Sequence, residues 1–193
     1  ITLVNFKLRH ICDFSIKNIM KSKKNIVFLG MMGSGKTSMG SIISKKLKLD
    51  FFDIDRHIEK LLGMNISNIF EKKGENFFRK FEEKITLKIL KKKNIVISLG
   101  GGAFINKNIR QEILSNHISF WLKWNDETLF SRIKRSSKRP LAINASTNEL
   151  KDLIKKRSNI YSEALYKVTC DDLSKLDIAN KIIELYEKDK INY

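Results

Sequence analysis

The sequence predicts an α/β fold: a parallel sheet covered by helices on both faces. Three observations carry this. Short apolar or β-branched runs alternate with longer helical stretches along the whole chain. The first such run, Ile26-Val27-Phe28-Leu29, leads directly into Gly30-Met-Met-Gly-Ser-Gly-Lys36-Thr37, a G-x-x-x-x-G-K-[ST] phosphate-binding loop, and a helical stretch follows it. A third run, residues 95–99, ends in three consecutive glycines, Gly100 to Gly102.

The elements follow in order. Strands are expected at 25–29, 51–54, 95–99, 118–123 and 166–170, each bounded by turn or helix signals. Helices are expected at about 36–48, at 56–72 in two pieces broken near Gly63, and at 75–91, 106–115, 126–135, 147–162 and 175–189. A polar stretch from Ser136 to Thr147 holds Pro140, the only proline, and reads as a lid. No internal repeat or low-complexity linker divides the chain. The expected organisation is an extension over 1–24, with a plausible start at Met20, and one domain over 25–190. Within that domain lie a helical substrate region at about 55–83 and a lid at about 132–147.

Composition narrows the class. With 193 residues, 42% hydrophobic and 31% charged, the chain is long enough for one sizeable core. No run has the length of a membrane span. The formal charge of +17 is compatible with nucleic acid, an acidic surface or small anions. The lysines are spread along the chain, however, and Lys, Ile and Asn are abundant throughout, which favours compositional drift over a nucleic-acid footprint. Cys12 and Cys170 form no metal or disulfide pattern, and His10, His57 and His117 are isolated.

The phosphate loop sets the chemistry. Its glycines let backbone N–H groups wrap a polyphosphate, and the dipole of the following helix faces the same anion. Gly33, Ser34, Gly35, Lys36, Thr37 and Ser38 are the candidate nucleotide-binding residues, with Lys36 reaching the β/γ-phosphates and Thr37 ligating Mg²⁺. Asp53 and Asp55 end a strand with both side chains on one side. One can hold hydrated Mg²⁺ while the other accepts a hydroxyl proton; Asp55 also precedes a helix and could simply cap it, but its place after a phosphate-loop helix favours the functional reading. The strand at 95–99 lacks a terminal Asp, so Asp53 is the metal candidate, with Thr37.

Arg79 lies on a helix with Glu82 and Glu83 three and four positions on, both able to brace it, and with Phe77, Phe78, Phe81 and Ile85 as an apolar stripe. Locally this reads equally well as a solvated ion pair. Three glycines after a strand allow a ligand close to the backbone. In the polar stretch Lys138-Arg139-Pro140 offers a basic residue to neutralise charge in phosphoryl transfer, Arg132 could face a base or solvent, and Arg157 by itself reads as a surface arginine.

Together these motifs, from about Lys24 to Tyr186, resemble the shikimate kinase family: the phosphate loop, Asp53-x-Asp55, Gly74-Glu75-x-x-Phe78-Arg79-x-x-Glu82, the triple glycine, Arg139-Pro140-Leu141, and Arg157 with Tyr161. The resemblance implies a P-loop three-layer sandwich with a five-stranded parallel sheet of order 2-3-1-4-5. It implies ATP-dependent phosphorylation of the shikimate 3-hydroxyl on the route to chorismate and the aromatic amino acids, with Mg²⁺. The implied roles are Asp53 and Thr37 at the metal, Asp55 as base, and Arg79 and Arg157 on the carboxylate. Gly101 and Gly102 would line the substrate, Arg139 would close on the phosphates, and Arg132 would lie beside adenine. Lys36, Asp55 and Arg139 are thus the expected catalytic residues of a cytoplasmic monomer that binds shikimate and ATP, but neither nucleic acid nor membrane. Two departures stand out: Asn159 replaces the family proline of R-x-P-x-Y, which is expected to loosen the turn holding Arg157, and the stretch Asp171–Leu176 lacks the usual Arg/Thr-Pro ending. The competing readings are another small P-loop kinase, for gluconate or a nucleoside monophosphate, and a non-catalytic nucleotide- or nucleic-acid-binding protein.

Overall fold

The structure is a computed structural model that describes residues 24–135 and 146–191. His10, Cys12, Met20, Lys138, Arg139 and Pro140 lie outside the described residues, as does most of the expected lid.

Five strands form one parallel sheet: β1 (Ile26–Leu29), β2 (Asp50–Asp53), β3 (Ile95–Ser98), β4 (Ile118–Lys123) and β5 (Tyr166–Thr169), in the order β2-β3-β1-β4-β5. The three inner strands are the most apolar. Every residue of β1 and β3 is buried, as is every residue of β4 but Lys123, as expected of strands covered on both faces. The edge strands β2 and β5 bury far less.

Helices α1 (Lys36–Leu47) and α7 (Lys175–Ile191) cover one face. There Met39 and Ile43 meet Ile178 and Ile182 over Phe28, Val96 and Phe120. The other face carries α2 (Ile54–Leu62), α3 (Ile66–Leu90), α4 (Lys107–Asn116), α5 (Asp126–Lys134) and α6 (Thr147–Tyr161). Their cores join through Ile58, Phe78, Ile113, Ile133 and Ile154. Asn25, fully buried, locks the inert end of the sheet. Its amide nitrogen donates to the carbonyls of Leu90 and Lys92, and its oxygen accepts from Ile95 N–H.

The expected elements are all present, with revised ends. Gly63 terminates α2 at a φ of 64°. Gly74, at φ 80° and ψ 163°, breaks the helical path inside α3, so the chain changes direction between the expected helices without a loop. Arg132 belongs to α5, and Ser146 and Glu149 form a capping box that starts α6.

This topology fixes the location of chemistry. The strand order reverses at β1, and the C-terminal ends of β1, β2 and β3 open onto one crevice. Gly30, Asp53 and Gly100 follow or end those strands.

Candidate active site

The phosphate loop connects β1 to α1. Gly35, at φ 89°, is the residue before α1, a conformation glycine adopts without strain. Lys36 is buried, and its Nζ donates to the carbonyls of Gly30 at 2.9 Å and Met31 at 3.0 Å, so the ammonium is folded back over the loop. The hydroxyl of Thr37 donates to Asp53 Oδ2 at 2.5 Å. Asp53 also caps α2, its Oδ1 accepting from Arg56 N–H at 3.1 Å. The capping role foreseen for Asp55 therefore falls to Asp53, and Asp55 in the first turn of α2 is left to face the crevice.

Thr37 and Asp53 offer a hydroxyl and a carboxylate at one point. Among the described residues no cluster of three or more His, Cys, Asp or Glu could hold a metal. Mg²⁺ suits such a place, because it keeps several waters and takes one or two protein oxygens plus phosphates.

A cleft of about 580 Å³ lies beside the loop. Gly33, Gly35, Lys36, Thr37, Ser38 and Asp53 line it together with Asp55, Arg79, Gly101, Gly102 and Arg157. Two expected residues stand apart. Ser34 is buried beneath the loop, and Arg132 stacks on Trp124 outside the cleft, 3.6 Å from the ring centroid.

The acceptor side is built on the triple glycine. A Cβ on Gly100 would collide with Glu82 Oε1 and come 2.6 Å from Asp55 Oδ1, so this glycine admits two carboxylates against the backbone. A Cβ on Gly102 would lie 2.5 Å from Arg79 Nη1. The glycines thus make room for protein side chains as well as for a ligand. Asp55 is lifted to a pKa of about 7, first by burial and then by the charges of Glu82 and Asp53, with Lys36 opposing. Such a carboxyl is poised near neutrality.

Arg79 is held by Glu82, with Nη1 to Oε2 at 2.7 Å, and by Glu75, with Nη2 to Oε1 at 3.1 Å. Burial works against its charge, but these two carboxylates outweigh burial and raise its pKa. Glu82 is itself 2% exposed, and burial pushes its carboxyl upward against the attraction of Arg79. The expected brace from Glu83 is corrected: its oxygens accept from Asn106 and Asn108 at 3.0 and 2.6 Å. The apolar stripe is corrected too. Phe78 and Ile85 are buried, whereas Phe77 is 37% exposed and stacks on Phe81.

Arg157 is not a surface residue. It is buried, and its Nη1 donates to Gly101 O at 3.3 Å; the Tyr161 hydroxyl donates to the same carbonyl. Helix α6 runs unbroken through Asn159. Sequence reasoning missed Glu59, Phe70 and Trp124. Glu59 lies one helical turn after Asp55, lines the cleft and accepts from Ile66 N–H at 3.0 Å.

A phosphate loop facing a neutral-pKa carboxyl and two arginines across one cleft defines a P-loop kinase for a small anionic hydroxyl acceptor. Comparison with known proteins narrows that class. The family model described as "SKI: Shikimate kinase" matches residues 32–187. The shikimate kinase of Thermodesulfovibrio yellowstonii is 39% identical over 166 residues, covering 86% of this chain and 96% of the relative. That of Bacillus subtilis is 42% identical over 164 residues, covering 84% and 88%. The solved shikimate kinase from Acinetobacter baumannii in complex with shikimate superposes with a TM-score of 0.82 at 32% identity, covering 88% of this chain and 96% of that one. The chain belongs to the shikimate kinase family, whose members are ATP-dependent kinases acting on a hydroxyl group.

Proposed function

We propose that this protein transfers the γ-phosphoryl group of ATP to the 3-hydroxyl of shikimate, giving shikimate 3-phosphate and ADP for chorismate synthesis. The observation that carries the reading is the convergence of Asp55, Arg79 and Arg157 on one cleft beside Lys36. A polyhydroxylated acid needs a carboxylate clamp and a hydroxyl acceptor, and this cleft offers both.

In the proposed mechanism Arg79 and Arg157 grip the substrate carboxylate, and the Gly101 and Gly102 backbone bounds the ring. Asp55 takes the proton of the attacking hydroxyl. The oxygen forms its bond to the γ-phosphorus as the bond to the β,γ-bridging oxygen breaks, and ADP carries away that electron pair. Lys36 leaves the Gly30 and Met31 carbonyls to follow the charge on the transferring group. Thr37 and Asp53 would hold Mg²⁺, which would supply charge neutralisation for the phosphates. Backbone N–H groups of residues 33–38 hold the phosphates, Arg132 borders the adenine side, and Arg139 completes the phosphate shell. Residues 25–190 act as one kinase domain that works as a cytoplasmic monomer, with neither membrane nor nucleic acid as partner. Among the described residues no helix is long and apolar enough to cross a membrane.

A coupled ADP-release assay tests the reading. ADP release should depend on shikimate and on Mg²⁺, with gluconate and nucleoside monophosphates inactive. Release stimulated by one of those instead of shikimate would overturn it.

A further inference from the structure

Trp124 makes two contacts that the reaction scheme leaves unused. Its ring carries the Arg132 guanidinium at 3.6 Å from the centroid, and its indole N–H donates to the Ser34 carbonyl of the phosphate loop at 2.9 Å. Trp124 directly follows β4, is half-buried, and packs against both core clusters, so its ring is anchored from below. Arg132 lies beside the phosphate loop: a Cβ on Gly33 would meet Arg132 Cβ at 3.4 Å, ordinary van der Waals contact. Among the described residues Arg132 has no salt bridge, so the stack is the contact that orients it.

The sheet order says which ligand passes here. The acceptor-side groups Asp55, Arg79 and Arg157 occupy the cleft at the β2 and β3 ends, so a nucleotide held by the loop must extend its base toward β4 and β5. Arg132 and Trp124 stand on that side. The segment after β5 is tied to them, since Asp171 accepts from Asn125 N–H at 3.1 Å, and it exposes Leu173 and Leu176. A guanidinium held flat by an indole on one face offers its other face to an aromatic base.

We propose that Trp124 is a positioning residue for the nucleotide. Its ring pre-orients Arg132 as a stacking plate for the base, while its N–H fixes the Ser34 carbonyl, so that one side chain sets the spacing between base subsite and phosphate subsite. This rests on the reading of residues 33–38 as the nucleotide site and deepens it.

The test measures affinity for ADP and for inorganic tripolyphosphate by calorimetry, in Trp124, W124F and W124L proteins, each with Arg132 and with R132Q. With Arg132 present, the ratio of ADP to tripolyphosphate affinity should fall in the order Trp, Phe, Leu, by roughly 3- to 30-fold overall. With R132Q it should be flat, because the ring acts through the guanidinium. Tripolyphosphate affinity alone should drop once, equally in W124F and W124L, on loss of the N–H. A ratio that stays constant with Arg132 present, or falls as much with R132Q, overturns the proposal. Should W124L lose its native circular dichroism, the Trp-to-Phe comparison in both backgrounds decides. Failure of the parent protein to bind ADP would instead overturn the nucleotide-site reading, and the inference with it.

Discussion

Gly102 and the guanidinium of Arg79 are fitted to each other: a Cβ on this glycine would sit 2.5 Å from Nη1 and 2.8 Å from Cζ. Arg79 is also pinned from the other side by Glu75 and Glu82, so it has little room to retreat. Gly102 itself has φ −104°, which any residue adopts. Gly102→Ala therefore leaves the backbone unstrained and pushes directly on the arginine. The Michaelis constant for shikimate should rise by roughly 10- to 100-fold, the value of one charge-assisted clamp, while that for ATP changes little; the melting temperature should fall, because Arg79 is pressed against its pairing with Glu82. Steady-state kinetics with each substrate varied in turn checks this, and an unchanged shikimate constant would remove Arg79 from the substrate clamp.

Asp55→Asn should lower kcat by about 10²–10⁴, the range of general-base assistance. The same change should stabilise the ligand-free protein in a pH-dependent way. The Asp55 carboxyl moves from an ordinary 3.8 to about 7 on folding, so the native state binds this proton more tightly than the unfolded chain does. Its contribution to stability is complete below about pH 4, declines as pH rises, and is lost above about pH 7. Asparagine is neutral throughout and escapes that loss. Urea unfolding should find the variant equal to the parent near pH 4 and more stable by on the order of a few kcal/mol near pH 8. Equal stability at both values would mean that Asp55 is not strained by its setting.

The legibility of this chain follows sequence distance. The phosphate loop and Asp53-x-Asp55 could be read directly, because strand, turn and helix set their geometry within a few residues. The sheet was readable for a similar reason: β1, β3 and β4 are short apolar runs, and parallel burial writes itself into composition. Edge strand β5 buries only Val168.

Arrangements decided by packing were not readable. Glu82 and Glu83 satisfy helical spacing to Arg79 equally well, and what separates them is the placement of Asn106 and Asn108, 23 and 25 residues beyond Glu83. Arg157 looked like a surface residue because the carbonyl it meets, Gly101, lies 56 residues away. The Trp124–Arg132 stack spans two successive elements and leaves no motif in the chain.

Tyr161→Phe isolates the support of the triple-glycine turn. The Tyr161 hydroxyl is buried, its pKa pushed up to about 12 by burial, and it donates to the Gly101 carbonyl alongside Arg157. Removing it deletes one donor while Arg157 still satisfies the acceptor, so the loss should be that of a single hydrogen bond, about 1 kcal/mol. The melting temperature should drop by a few degrees and the shikimate Michaelis constant should rise several-fold, with ATP kinetics unchanged. Thermal unfolding and initial rates measure both. A collapse of activity would instead assign Tyr161 a direct role in the reaction.

Lys36→Met tests the phosphate side with the least disturbance to packing. The lysine is 8% exposed and its ammonium is bonded to two carbonyls of its own loop, so its stem fills a space that methionine also fills. The Gly30 and Met31 carbonyls belong to buried residues and lose a donor, which should cost about 1–3 kcal/mol of stability. The fold should survive, with near-native circular dichroism. The rate should not: a preorganised cation aimed at charge that develops in the transition state contributes about two to three orders of magnitude. ADP should still bind through the loop N–H groups and the Thr37 side, so calorimetry should record weakened but measurable affinity beside a kcat reduced at least 100-fold (roughly). Turnover within a few-fold of the parent would mean that the transferring phosphoryl group does not pass this lysine, and that the loop is not where the chemistry occurs.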